Sequence, residues 1–141
     1  MFVSFRLSHI KAALGVFLLG AILFLVTVAF GALGMSERIT FSSDEERAMF
    51  LSSMGYSAED ETLVPTIIPT VWNDVYEEYN LLQLEQGFDL DDYRGETVQR
   101  YICPVGNCRE VTLVVFEERL IAADVYDYST SEMTVLLPQE E

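Results

Sequence analysis

The stretch ETVQRYICPVGNCREVTLVVFEERLIAADVYD, residues 96–127, decides the fold of this chain. It contains three runs of β-branched and aromatic residues, separated by the turn-forming PVGN and by a pair of glutamates. Runs of this composition favour strands. Because the three runs are so close in sequence, we predict an antiparallel meander. The stretch EMTVLL, residues 132–137, is expected to add a fourth strand before an acidic tail at 138–141.

Two helices are predicted before these strands. Ser43 and Glu46 fit a capping box that opens the helix DEERAMFLSSM, which Gly55 can end. Pro69 can occupy the first turn of a second helix, which we expect to run to about Gln86. The apolar face of this second helix consists of large side chains at three- and four-residue steps: Trp72, Val75, Tyr76, Tyr79 and Leu82. We interpret this stripe as core packing rather than ligand stacking, because a small domain must bury its large side chains.

The stretch between the two predicted helices, TLVPTIIP at residues 62–69, is expected to be extended. Pro65 lacks a backbone donor, so a strand here would lie at a sheet edge or be interrupted. The predicted fold class is therefore α+β. We expect two helices packed on one face of a small antiparallel sheet of three to four strands.

Residues 12–35, AALGVFLLGAILFLVTVAFGALGM, form a run of 24 residues without a charge. A helix of that length measures roughly 36 Å, enough to cross a hydrocarbon core of about 30 Å. The run predicts a transmembrane helix. The alternative is a cleaved signal peptide with Arg6 and Lys11 in its charged region, but the usual apolar region of such peptides has only about 7–15 residues.

The span sets the expected domain organisation. Residues 1–11 are predicted to be cytoplasmic, 12–35 transmembrane, 36–43 a linker, 44–137 an outer α+β domain and 138–141 an acidic tail. Two basic residues precede the span and two soon follow it, Arg38 and Arg47, so the positive-inside rule does not decide the orientation. The signal-like layout of the amino terminus favours an extracytoplasmic domain in the cell membrane.

The charge of the chain restricts its partners. The formal net charge is −15, and all 23 acidic residues follow Ser36. Such a surface repels phosphate backbones, which excludes nucleic acid as a partner. The expected partners are the membrane, through the span, and an unknown protein or cell-envelope component.

The outer domain lacks several residue types that catalysis commonly uses. His9, the one histidine, precedes the membrane span, and no lysine follows Lys11. Catalytic triads with histidine and Schiff-base chemistry are therefore excluded there. The acidic stretch DLDDYRG, residues 89–95, fails as an EF-hand loop, because Arg94 and Arg100 stand where a glycine and an acid are required. We predict no catalytic, cofactor-binding or metal-binding residues.

Cys103 and Cys108, the two cysteines, flank the predicted turn at residues 104–107. If that turn closes a hairpin, the two side chains face each other at nearly the separation that a disulfide needs. A disulfide closing so short a loop would stabilise the fold by only about 2 kcal/mol. Free thiols and a redox-active pair are the alternatives, although redox centres of the thioredoxin type use Cys-x-x-Cys spacing.

The middle of the chain, VYEEYNLLQLEQGFDLDDYRGETVQRY at residues 75–101, resembles the bacterial domain of unknown function 4830 family. The stretch LQLEQGFDL, residues 82–90, and the later Asp124-Val125 carry the resemblance. The resemblance spans roughly residues 44–137 and implies one amino-terminal membrane helix with a small outer domain. It implies no catalytic residues. The chain departs from the family pattern at Ala122-Ala123, where glycines are usual, and at Thr134, where histidine is usual.

These observations together predict a membrane-anchored extracytoplasmic domain that acts as a non-enzymatic binding or accessory module. Two alternatives stay open. One is an enzyme that uses two carboxylates on a cell-envelope glycan. The other is a thiol redox protein that uses Cys103 and Cys108.

Overall fold

The structure is a computed structural model that describes residues 39–139. Within these residues, two helices, a short 3₁₀ turn and five strands follow one another. In order they are α1 (Asp44–Ser53), β1 (Thr62–Ile67), α2 (Asp74–Leu84), the 3₁₀ turn (Leu90–Tyr93), β2 (Thr97–Pro104), β3 (Arg109–Phe116), β4 (Arg119–Asp127) and β5 (Glu132–Thr134). The α+β class predicted from the sequence is confirmed.

All five strands form one antiparallel sheet in the order β1-β2-β3-β4-β5. The predicted meander is confirmed at β2, β3 and β4, whose bounds match the three sequence runs. The predicted count of three to four strands is wrong, because β1 also joins the sheet, at its outer edge beside β2. The Ile68 N–H donates to the Glu96 carbonyl. The backbone N–H groups of successive residues point alternately to the two sides of a strand. Position 65 therefore points its backbone nitrogen to the open edge of β1, where proline loses no hydrogen bond.

The two helices pack on opposite faces of the sheet, and not on one face as the sequence suggested. Side chains alternate across a strand, and in β2 and β3 both faces carry apolar residues. One core cluster joins α1 to one face through Leu51, Tyr101, Val111 and Leu113. The other cluster lies on the α2 face, with Val98, Val114 and Ala122 at its centre. A sheet covered on both sides explains why β3 and β4 are buried almost throughout.

The helix ends follow the capping residues. Ser43 caps α1 by accepting from the Glu46 N–H at 3.3 Å, as the capping box predicts, although the Glu46 carboxylate returns to the Ser42 N–H. The second helix begins at Asp74 and not near Pro69, because the Asn73 side chain accepts from the Tyr76 N–H and caps the helix there. The helix ends at Leu84, two residues before the predicted end, and Gly87, with φ +82°, turns the chain away from it.

Three different parts of the chain cover the outer edge of β4. β5 pairs with the end of β4, and the Leu120 N–H at its start donates to the Ile39 carbonyl at 2.9 Å. Between these two points, two side chains of the α2 region form the hydrogen bonds that a neighbouring strand would otherwise form. The Gln83 Oε1 accepts from the Ala123 N–H at 2.9 Å, and the Gln86 Nε2 donates to the Ala123 carbonyl at 2.8 Å. An otherwise open strand edge is thereby closed.

The predicted linker at residues 36–43 is partly built into the domain. Thr40 forms a bridge with Arg119, and Phe41 is buried in the core. The domain described by the structure therefore begins before residue 44. The predicted transmembrane helix at 12–35, the cytoplasmic segment at 1–11 and the end of the acidic tail lie outside the described residues. Among residues 39–139 no helix has the length and apolar character that a membrane crossing requires.

Candidate functional site

A half-open groove of about 480 Å³ lies on the α2 face of the sheet. Its apolar floor consists of buried residues from the sheet and the adjoining loops: Ile68, Leu90, Val98 and Val114. The side chains of Val75, Tyr76 and Tyr79 line it from α2. The volume falls within the range of about 300–1,000 Å³ that is typical of small-molecule sites. Concave shape and apolar lining make this groove the candidate binding site.

The two charged residues that line the groove are Arg100 and Glu78. Arg100 projects from β2, where it is paired with Val114 of β3 and with Val64 of β1. It is half-buried. Among the described residues its guanidinium has no hydrogen bond and no ion pair, although a guanidinium carries five N–H donors. Glu78 is exposed. The groove thus has an apolar floor and, in its wall, a guanidinium that interacts electrostatically with Asp124 but has no hydrogen-bond partner within residues 39–139.

Beside the groove, Asp124 of β4 is a buried carboxylate, 2% exposed. The Tyr79 hydroxyl donates to its Oδ2 at 2.7 Å and so connects α2 to the sheet. Burial raises the pKa of Asp124 to about 6, while the hydrogen bond from Tyr79 and the positive charge of Arg100 act in the opposite direction. Burial, with the neighbouring carboxylate, also raises the pKa of Tyr79 well above its usual value. This pair fixes the position of α2 above the groove.

The predicted aromatic stripe has two roles. Trp72, Tyr76 and Tyr79 pack partly against the α2-face core, as the sequence suggested. Tyr76 and Tyr79 also line the groove, and Val75 is 71% exposed. The buried residues of α2 are instead polar, Asn80 and Gln83. Core packing therefore explains only part of the stripe.

A charged cluster lies on the opposite face, beneath α1. Two nitrogens of the buried Arg47 donate to the Glu61 carboxylate at 2.8 and 2.7 Å, and a third contact reaches Asp44 at 2.5 Å. The Arg47 guanidinium also lies 3.7 Å from the centroid of the Tyr101 ring. Because the donors of Arg47 are used within the protein, this cluster connects α1 to the sheet and offers no free charge to a ligand.

The two cysteines do not have the arrangement expected from the sequence. Cys103 is paired with Val111 across the hairpin, whereas Cys108 lies in the turn. The expectation that they face each other is wrong, because the hairpin loop begins one residue later than predicted. Both are free thiols, Cys103 buried and Cys108 exposed. The structure favours free thiols over the disulfide expected from the sequence, and thiol labelling decides between them.

The environment of Cys103 does not favour redox chemistry. Burial, with the nearby Glu61 carboxylate, raises the pKa of the Cys103 thiol to about 12. Since the thiolate is the reactive form, a thiol with so high a pKa is a poor nucleophile. Cys108 has a left-handed backbone conformation, with φ +59°. The redox alternative gains no support from this geometry.

The acidic stretch at residues 89–95 has a structural role. The Asp89 carboxylate accepts from the Asp91 N–H at 3.0 Å and from the Asn80 side chain at 3.1 Å. Asp91 in turn accepts from Arg94, whose guanidinium stacks on Trp72. Nowhere in residues 39–139 do three or more acidic or cysteine side chains come close enough together to hold a metal ion.

The sequence reasoning overlooked Arg100 and Glu78 as site residues. A signal for Arg100 was present, because its two-residue spacing from Val98 and Ile102 places all three side chains on the same face of a strand. An arginine at an inward position of an apolar strand face is unusual and indicates a special environment. Glu78 carries no comparable signal. A glutamate between the apolar positions Val75 and Tyr79 gives the same sequence pattern whether it faces solvent or lines the rim of a groove.

No family model matches the chain, and no curated protein and no solved structure is similar to it. The resemblance of residues 75–101 to the domain of unknown function 4830 family therefore stays an expectation from its motif residues.

Proposed function

We propose that this protein is a membrane-anchored extracytoplasmic binding module, without enzymatic activity, whose ligand occupies the groove between α2 and the sheet. The observation that carries the proposal is the half-buried Arg100, whose guanidinium has no hydrogen-bond partner within residues 39–139, in an apolar groove of about 480 Å³. N–H donors without a partner in a partly desolvated wall lose hydrogen bonds that water would provide. A bound ligand that accepts hydrogen bonds from this guanidinium restores them.

The composition of the groove favours binding over the carboxylate-based enzyme. A glycosidase of the usual kind needs two carboxyl groups about 5–9 Å apart across the reacting bond. Among the residues that line the groove, Glu78 is the one carboxylate. Asp124 has the raised pKa of a general acid, but it is buried under Tyr79 and is not part of the lining.

The membrane anchor rests on residues 12–35 and the extracytoplasmic side on the signal-like amino terminus. A reporter that is active only outside the cytoplasm, fused after residue 141, tests both. We expect activity from this fusion and none from a control fusion that lacks residues 12–35. Equal inactivity of two well-expressed fusions contradicts the proposed orientation.

The binding role is tested by a thermal-shift screen of small molecules of mixed charge against the wild-type chain and a variant with a filled groove. Thr66 lines the groove and is half-buried, so Thr66→Trp is expected to fill it. The control Leu81→Trp places the same side chain on α2 at a position that is 62% exposed. We expect compounds that stabilise the wild type and Leu81→Trp but not Thr66→Trp. Stabilisation that persists in Thr66→Trp contradicts the groove as the site, and turnover of a bound compound contradicts a non-enzymatic role.

A further inference from the structure

The surroundings of Arg100 define what kind of charge it attracts. Its neighbour on the same strand face is Val98, and Val114 and Val64 flank it on the adjacent strands. Electrostatic attraction is stronger beside such apolar walls than in bulk water, because the effective dielectric constant is lower. The planar guanidinium also matches a carboxylate, which can accept two parallel hydrogen bonds.

The remainder of the groove restricts the rest of the ligand. The floor residues Ile68, Leu90, Val98 and Val114 are each less than 5% exposed and offer only hydrocarbon to the cavity. They suit an aliphatic or aromatic body. Polar groups placed against them would lose their hydrogen bonds to water without replacement.

The charge balance around the groove restricts the ligand to a single negative charge. Arg100 supplies one positive charge, whereas Glu78 stands on the same lining and the Asp124 carboxylate interacts electrostatically with Arg100 from beside the groove. The chain as a whole carries a net charge of −15. A second negative charge on the ligand would have no partner there and would be repelled by this field. Dianions such as phosphate monoesters are therefore disfavoured.

We propose, building on the binding function proposed above, that the groove recognises a small apolar monocarboxylic acid whose carboxylate pairs with the Arg100 guanidinium. The apolar body of the acid lies along the floor beneath Tyr76 and Tyr79. Arg100 is then the residue that determines specificity for the acid over the corresponding alcohol or amine.

Trp72 offers a direct readout of binding. It is the one tryptophan of the chain, and its ring stacks on Tyr76, a groove residue, with centroids 6.2 Å apart. The full chain is reconstituted in phosphatidylcholine vesicles and titrated separately with phenylbutyrate, phenylbutanol and phenylbutylammonium. Vesicles without protein correct for partitioning of each compound into the lipid.

We expect phenylbutyrate to bind about tenfold or more tightly than phenylbutanol, as a charge-assisted hydrogen bond in a partly buried site implies. We expect phenylbutylammonium to bind most weakly. The variant Arg100→Met should raise the Kd of phenylbutyrate by about tenfold to a hundredfold and leave that of phenylbutanol unchanged. Arg100→Lys, which keeps the charge but loses the planar fork, should give an intermediate loss.

The matched control is Arg109→Met, which removes the same charge from a residue outside the groove lining. It should bind phenylbutyrate as the wild type does. Equal affinity for the acid and the alcohol, or an unchanged Kd in both Arg100 variants, overturns the inference while leaving the proposed binding function standing. Absence of binding by all three probes overturns the inference as well, and the thermal-shift screen then decides on the binding function separately.

Discussion

The hydrogen bond between Tyr79 and Asp124 connects α2 to β4, and its contribution to stability depends on the charge of the carboxylate. The substitution Tyr79→Phe deletes the hydroxyl that donates to Asp124 Oδ2 at 2.7 Å and leaves the ring in place. A hydrogen bond to a charged group contributes about 1.5–3 kcal/mol, and one between neutral groups about 0.5–1.5 kcal/mol. The cost of the substitution therefore depends on whether Asp124 is ionised.

The direction of this pH dependence follows from the pKa of Asp124, which is raised from 3.8 to about 6 in the folded protein. The folded state binds the proton more tightly than the unfolded state. The stability contributed by this shift is fully present below pH 3.8 and is lost as the pH rises through 6. Asp124 is thus ionised at pH 7.5 and protonated at about pH 4.5. We expect Tyr79→Phe to cost about 1.5–3 kcal/mol at the higher pH and about 0.5–1.5 kcal/mol at the lower pH.

Urea unfolding followed by Trp72 fluorescence measures both values, and a double-mutant cycle with Asp124→Asn isolates the coupling. The control Tyr93→Phe makes the same change in the same core cluster, at a hydroxyl that has no hydrogen-bond partner within residues 39–139. It should cost less than about 0.5 kcal/mol at either pH. Equal costs for the two tyrosine substitutions, or a larger cost of Tyr79→Phe at pH 4.5, would show that this hydrogen bond is not strengthened by an ionised Asp124.

Three further predictions concern the turn, the thiols and the charged cluster. The two-residue turn between β3 and β4 has φ +47° at Glu117 and +68° at Glu118, so replacing them together by Asn-Gly should stabilise the fold by about 1 kcal/mol in urea unfolding; a loss of stability would contradict this turn geometry. In native protein, maleimide should label Cys108 within minutes and Cys103 only after unfolding, whereas a disulfide in freshly isolated protein would leave neither thiol to label. Arg47→Met should cost about 1.5–3 kcal/mol, because it removes the charge-assisted hydrogen bonds that the buried guanidinium donates to Glu61, and a cost below about 1 kcal/mol would show that the cluster is not needed.

The sheet was predictable from the sequence because its strands are local. β2, β3 and β4 are runs rich in β-branched and aromatic residues joined by short turns, so composition and spacing were sufficient to place them. β1 was recognised as extended, and Pro65 placed it at an edge, but its pairing with β2 depends on a connection through α2 that no local pattern encodes. The opposite placement of the two helices was missed for the same reason.

The site was less predictable than the fold. Helical periodicity identified the large side chains of α2, but not that its buried face is polar. Gln83 is buried and Gln86 is half-buried, and both bond to the backbone of Ala123, a residue about forty positions away. Only tertiary structure brings such partners together. Likewise, the role of Arg100 could not be predicted from its own strand. A guanidinium at an apolar position is a candidate recognition group only when the neighbouring elements form a groove beside it.

The most direct test of the central claim is to map phenylbutyrate onto the protein by two-dimensional ¹H–¹⁵N NMR. We expect the backbone signals that shift on titration to belong to the groove, chiefly Thr66, Tyr76, Val98 and Arg100. The signal of Leu51 on the α1 face should not shift. The Arg100→Met variant should show much smaller shifts at the same concentration of ligand. Shifts centred on the α1 face, or spread evenly over the domain, would contradict the claim that this groove is the binding site.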